Sequence, residues 1–349
     1  LVNDEGILDA ANVLLVGDSH LWQRGAEQSD LEVPLNTISE DDIAEQSGIS
    51  HLEQDTIDAA DIRIAEVTVA GGTTSLRCLD KALDLAQEGL VDGVLFGPFN
   101  KAAMTSAGLN AEDEHKYMAR YLGYEGYHSE INVLDELMTT RVTSHIGLKD
   151  VAANISEEGI LKAVNLANDA LRKAGKARPS IAVAALNPHA GDNGKFGREE
   201  IDILEPAVKK AQEKQMDVTG PWPSDTVFLK AKRGEVDAVV TMYHDQGQIA
   251  IKLMGFERGV TVAGGLPIPV ATPAHGTAFD IAGQNKANLG ATRQAIDLPV
   301  RMAKHWHVDT PAAAAEQARD TLGGLSIPAQ NKKNITENSM RTREEERSN

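Results

Sequence analysis

Three histidines stand in short polar loops, each directly after an apolar run. His145 lies in Thr143-Ser144-His145-Ile146, His189 in Asn187-Pro188-His189-Ala190-Gly191, and His244 in Tyr243-His244-Asp245-Gln246-Gly247. Neutral imidazoles bind borderline divalent metals, and three of them leave one coordination position open for a substrate. Taken singly, each histidine reads as a structural loop residue. Asp225 and Asp245 lie in comparable turns, where a carboxylate beside a metal-bound hydroxyl could take its proton. Asp225 reads equally well as a helix N-cap in Pro223-Ser224-Asp225-Thr226. Lys101, Lys116 and Lys252 are candidate anion contacts. Lys252 ends the apolar run Ile249-Ala250-Ile251, taken as a strand, and reads first as a side chain snorkelling to solvent.

The runs that must position these loops are short and bounded by polar or turn residues, as buried strands are. They are Val13–Val16, Val91–Phe96, Ile181–Leu186 and Ala238–Met242. Helical patterns separate them, notably Ser75–Gln87 and Glu157–Ala174, the latter opened by Ser156 as N-cap with acidic residues in its first turn. Strands alternating with helices predict an α/β fold with a largely parallel sheet, whose strand ends carry the ligand loops. Gly71-Gly72 and Gly264-Gly265 read as turns, and neither forms the spaced-glycine dinucleotide fingerprint. The small and polar stretch His275–Asn288 would let a planar ligand approach the backbone closely.

Composition bounds the partners. The chain has 349 residues and a formal net charge of -18, which disfavours nucleic acid and anionic membrane surfaces. No apolar run is long enough to span a bilayer, and no secretory leader is seen. Cys78 is the single cysteine, so no internal disulfide forms, and a cytoplasmic location is expected. The polar stretch 327–349 reads as a disordered tail.

Five signatures occur together: Gly97-Pro98-Phe99-Asn100-Lys101, Asn187-Pro188-His189-Ala190-Gly191, Pro223-Ser224-Asp225-Thr226-Val227-Phe228, Tyr243-His244-Asp245-Gln246-Gly247 and His275-Gly276-Thr277-Ala278. In their order and spacing the chain resembles the 4-hydroxythreonine-4-phosphate dehydrogenase family. That resemblance implies two α/β/α domains with a cleft between them, like isocitrate and isopropylmalate dehydrogenases. The expected division is residues 1–118 with 256–326, and 119–255. It further implies a homodimer with a shared active site, NAD as cofactor, and one divalent metal (Zn, Co, Ni, Mn or Mg) on His145, His189 and His244. His115 and Lys252 match substrate contacts, and Asn187, His275, Gly276 and Asn288 are the candidate cofactor contacts. Asp225, Asp245 and Lys101 are the catalytic candidates.

The implied reaction is NAD-linked oxidation of a small hydroxy acid, with decarboxylation as a further step. The alternatives are dehydrogenation of a non-phosphorylated substrate such as an aromatic dihydrodiol carboxylate, and a non-catalytic ligand-binding homologue. Departures from the family pattern bear on the substrate. The N-terminal glycine-proline loop is absent, so an initial segment is expected to be missing. Lys116 stands for a threonine, Thr261 for an asparagine and Val270 for a substrate-binding arginine. These changes imply a smaller or flatter anion than a phosphate, beside an apolar wall.

Overall fold

The computed structural model describes residues 5–33 and 35–306. The tail expected from residue 327, and the part of the first domain beyond residue 306, lie outside the described residues. The fold is α/β. Its strands are β1 (Val13–Gly17), β2 (Ile49–Glu53), β3 (Val94–Leu95), β4 (Ser129–Leu134), β5 (Leu137–Arg141), β6 (Ser180–Ala184), β7 (Asp217–Trp222), β8 (Ala238–Thr241), β9 (Val260–Gly264) and β10 (Val270–Pro273). β1 and β2 form a two-stranded parallel sheet, and the other eight form one sheet in the order β3-β10-β9-β4-β5-β8-β6-β7.

The expectation of a largely parallel sheet needs correction, because β10-β9-β4-β5 pair antiparallel while both flanks are parallel. No apolar run bounded by turn residues marks these four strands in the sequence. β4 and β5 are a hairpin turned by Asp135 and Glu136, with Asp135 at φ +54°. Such two-residue turns need positive φ, which Asp tolerates better than most residues. β3 is also shorter than the apolar run around it.

Register places the functional loops. In the parallel ladder Arg141 pairs with Thr241, and Val240 with Val183. The C-terminal ends of β5, β8 and β6 therefore lie side by side, and the loops with His145, His244 and His189 leave from one edge. At the other flank Leu95 pairs with Ala271. Residues 96–101 and 274–276 thus leave β3 and β10 at the same end.

Two further corrections concern helices. The run Ile249–Lys252 belongs to the helix His244–Gly255, not to a strand. Gly247 and Ile251, four apart, are buried, whereas Ile249 and Leu253 are 60% and 84% exposed. That is a helical period with one buried face. The pair Gly71-Gly72 lies inside the helix Val69–Gln87, not in a turn. A Cβ on Gly72 would sit 2.1 Å from the Ala103 carbonyl oxygen, so glycine here lets the helix Lys101–Ser106 approach closely. Gly265, at φ +90°, does turn the chain after β9. Ser156 caps the helix Glu157–Lys173 as expected, accepting from the Gly159 amide at 3.1 Å.

Gly72→Ala in a solvated helix would gain stability from propensity. Here the clash should dominate, and urea unfolding should show a loss of about 1–3 kcal/mol. Unchanged or increased stability would contradict the close approach.

Candidate active site

The histidine loops are anchored by neighbours that the sequence reading did not single out. Thr143 donates its amide and its hydroxyl to the Met242 carbonyl, at 3.1 and 2.7 Å, tying the His145 loop to the end of β8. The Gln246 carbonyl accepts from the Met242 amide at 2.7 Å, while its amide donates to the Ala185 carbonyl at 2.8 Å and to the Ser224 hydroxyl at 2.9 Å. One side chain thus ties the His244 loop to the end of β6 and to the start of the helix Ser224–Lys232.

His145 and His244 come together, with ring centroids 5.7 Å apart. The His244 Nδ1 lies 2.7 Å from the Asp245 carboxylate, which favours the proton on Nδ1 and leaves Nε2 as a ligand atom. Beside His145 Nδ1 lie Glu112 at 3.6 Å and Asp113 at 4.0 Å. The His189 ring lies 6.2 Å from that of Phe196. Among the described residues no three His, Cys, Asp or Glu side chains converge closely enough to hold a metal ion. The donor chemistry of the His145 and His244 pair fits a borderline divalent metal, and one chain as it stands leaves the set incomplete.

The His189 loop is strained and clamped. His189, Ala190, Asp192 and Asn193 all have φ between +45° and +54°, a region costly for residues with a Cβ. Glu200, 1% exposed, accepts from the Leu186 and Asn187 amides at 2.9 and 2.7 Å and from the Asn187 side chain at 2.9 Å. Asn187 also donates to Glu199 at 2.7 Å, so its amide is engaged within its own loop. Gly191 and Gly197 leave room for this clamp, since a Cβ at either would fall within 2.7 Å of Glu200 or of Asn187 and Glu199.

A cleft of about 260 Å³ opens at the β3 and β10 ends. It gathers Lys101, His115, Thr261, Val270, His275 and Gly276 of the expected site residues. Lys116, Asn187, Asp225, Asp245, Lys252 and Asn288 are not among its lining. Lys116 pairs with Glu112. Asp225 is exposed in the first turn of its helix, whose N-cap position is Pro223, so Asp225 is not the cap. Asn288 accepts from the Gly290 amide at 2.8 Å.

Electrostatics in the cleft centre on His115 and Glu130. Burial, and then the neighbouring His128, push the His115 imidazole down to about 4. Burial works against the Glu130 charge, but Arg141 outweighs it and holds that carboxyl below its usual range. Arg141 is 4% exposed and donates to Glu130, to Asn132 at 3.1 Å and to Ser144 at 2.9 Å. Glu130 and Asn132, two apart on one strand face, were the available sequence signal, but β4 itself had gone unread.

Two outcomes follow for the folded chain. Glu200→Ala leaves the Leu186 and Asn187 backbone amides without their acceptor, while the Asn187 side chain keeps Glu199, and should cost about 2–3 kcal/mol in urea unfolding; a loss under about 0.5 kcal/mol would contradict the clamp. For His115 the folded value lies below the unfolded one, near 6.5. Its neutral form is therefore favoured by folding. The associated stability is complete above about pH 6.5 and is lost as pH falls toward 4, by an amount on the order of 3 kcal/mol. His115→Gln should remove that part of the acid slope, measured as unfolding free energy against pH; an unchanged slope would refute it.

The family model for the pyridoxal phosphate biosynthetic protein PdxA matches residues 9–299. A Pseudomonas aeruginosa protein, provisionally named 4-hydroxythreonine-4-phosphate dehydrogenase 2, is 49% identical over 313 residues, 87% of this chain and 92% of that protein. The crystal structure of the 4-hydroxythreonine-4-phosphate dehydrogenase from Klebsiella pneumoniae is similar with a TM-score of 0.74 at 35% identity, covering 83% of this chain and 88% of that one. A terephthalate 1,2-cis-dihydrodiol dehydrogenase from Burkholderia xenovorans LB400 is similar with a TM-score of 0.61 at 28% identity, covering 85% and 92%. With the family model spanning most of its length, the chain belongs to the PdxA family of pyridoxal phosphate biosynthetic proteins.

Proposed function

We propose that the chain is a metal-dependent, NAD-linked dehydrogenase that oxidises the CH–OH group of a small hydroxy acid. The observation that carries this reading is the approach of His145 and His244 at the ends of adjacent parallel strands, 5.7 Å between ring centroids. His145, His189 and His244 would hold the metal, and His275, Gly276 and Asn288, with Asn187 nearby in sequence to His189, would face the nucleotide. When bound, the metal supplies Lewis acidity to the substrate hydroxyl and NAD supplies a hydride acceptor.

The chain's own residues position and deprotonate. Asp245 fixes the His244 ring through its 2.7 Å contact and is engaged in doing so. Asp225, exposed beside Ser224 on the Gln246 bridge, is then the better placed of the two proton acceptors. Lys101, 3.3 Å from Glu114, would orient the substrate from the cleft side.

A homodimer completes this reading. Large apolar side chains surround the histidine pair on the surface: Ile146 is 42% exposed and Leu148 72%, while Ile249 and Leu253 line the outer face of the His244 helix. A second copy covering them would bury this patch and close the site. Among the described residues no helix is long and apolar enough to cross a membrane.

Metal analysis after dialysis against zinc should find about one ion per chain in the wild type, and most of it lost in His145→Ala and His189→Ala. Full metal content in His189→Ala would remove that residue from the ligand set. Sedimentation at micromolar concentration should give a dimer, and Leu253→Asp should shift it toward monomer with loss of activity. A wild-type monomer with full activity would contradict the shared site.

A further inference from the structure

The charges facing the β3–β10 cleft are already matched. Lys101 Nζ lies 3.3 Å from Glu114, and both line the cleft. Glu130, the second carboxylate in the lining, is paired with Arg141, whose remaining donors go to Asn132 and Ser144. His115 is neutral at physiological pH. A phosphate dianion entering here would meet two carboxylates and no unmatched cation in the lining. Its desolvation would go uncompensated. A carboxylate would meet the same field with one charge fewer.

The rest of the lining is apolar or weakly polar. Phe96 and Phe99 stack with centroids 4.6 Å apart. Met118, Ala263 and Val270 join them, with Thr261 on the same wall. Among these groups one polar atom lacks a partner: His115 Nε2 is buried, and the residue itself is 6% exposed. The Gly264 backbone beside the ring favours the proton on the other nitrogen, Nδ1. A neutral imidazole that donates from Nδ1 presents Nε2 as an acceptor. A buried acceptor left unsatisfied is costly, so it marks the place where a ligand donor belongs.

We propose that this cleft receives an uncharged, hydroxyl-bearing end of the substrate, with His115 Nε2 accepting from that hydroxyl and Val270 packing its carbon face, and that it excludes a phosphate there. This rests on the cleft being the substrate side of the dehydrogenase site. It also departs from the flatter anion expected from sequence, because the two paired carboxylates leave no place for one.

The test uses a matched pair that differs only at that end, 4-hydroxythreonine and 4-hydroxythreonine 4-phosphate. Binding is measured by calorimetry with zinc and NAD present, and nicotinamide reduction is followed separately. The wild-type protein should bind the unphosphorylated compound at least about tenfold more tightly. Val270→Arg should shift the ratio toward the phosphate by about tenfold or more. His115→Phe, which needs no charge in the β10 core, should weaken the unphosphorylated compound by about tenfold and leave the phosphorylated one unchanged. Equal or tighter binding of the phosphate by the wild type overturns the inference, as does failure of both compounds to bind. The two readings separate cleanly. Tight binding of the alcohol without nicotinamide reduction sinks the dehydrogenase, whereas reduction that prefers the phosphate sinks only this assignment.

Discussion

The buried guanidinium of Arg141 joins the two halves of the candidate site. It stands at the last residue of β5 and reaches Glu130 and Asn132 on β4 and Ser144 in the His145 loop. Its three bonding groups thus connect the cleft wall, the sheet and the candidate metal loop. A fully paired buried charge contributes little net stability, but removing one partner strands the other at a cost of about 3–5 kcal/mol. Glu130, Arg141 and Asn132 therefore stand or fall together. Gln248 closes the network by donating to Asn132 at 2.6 Å, bringing in the helix that carries His244.

Around that network the sheet supplies alignment and the side chains supply tension. Parallel pairing of β5, β8 and β6 sends three loops off one edge at little cost. What those loops then do is less favourable locally. The His189 loop runs through several left-handed residues and is held by a buried carboxylate, while the His244 loop is held by Gln246. Such strain persists only where surrounding bonds over-determine it. The Glu200 clamp acts on backbone amides, so it fixes the loop path without occupying the His189 ring.

Legibility in the sequence tracked the range of the interactions. β1, β6 and β8 were readable because apolar runs bounded by turn residues carry their own signal, and so was the Ser156 cap, which is local. The hairpin β4–β5 and the pair β9–β10 were not. The hairpin's polar members Glu130, Asn132, Thr139, Thr140 and Arg141 break the apolar pattern and find partners across the sheet, in the His145 loop and on the His244 helix. Lys252 was placed on a strand because Ile249–Ile251 is a continuous apolar run, and a run that short does not distinguish a strand from a half-buried helix. Gly72 was read as a turn because its reason, the Ala103 carbonyl, is about thirty residues away in sequence. Of the expected site residues, the cleft gathers Thr261 on β9, Val270 on β10, His115 on the helix Glu114–Tyr121, Lys101 at the start of the helix that follows β3, and His275 and Gly276 after β10. His145 and His244 meet through register, which composition cannot reveal.

The activity proposed for this chain is oxidation of a CH–OH group with NAD at a metal centre built on these histidines. It is tested most directly by the absorbance of reduced nicotinamide. The protein is stripped with a chelator, reloaded with zinc, cobalt or manganese, and given NAD with a panel of small hydroxy acids and cis-dihydrodiols. Substrate-dependent formation of reduced nicotinamide that vanishes on stripping and returns with metal is the predicted result. Reduction that persists in full after the metal is removed, or none with any member of the panel despite bound metal and NAD, would contradict it.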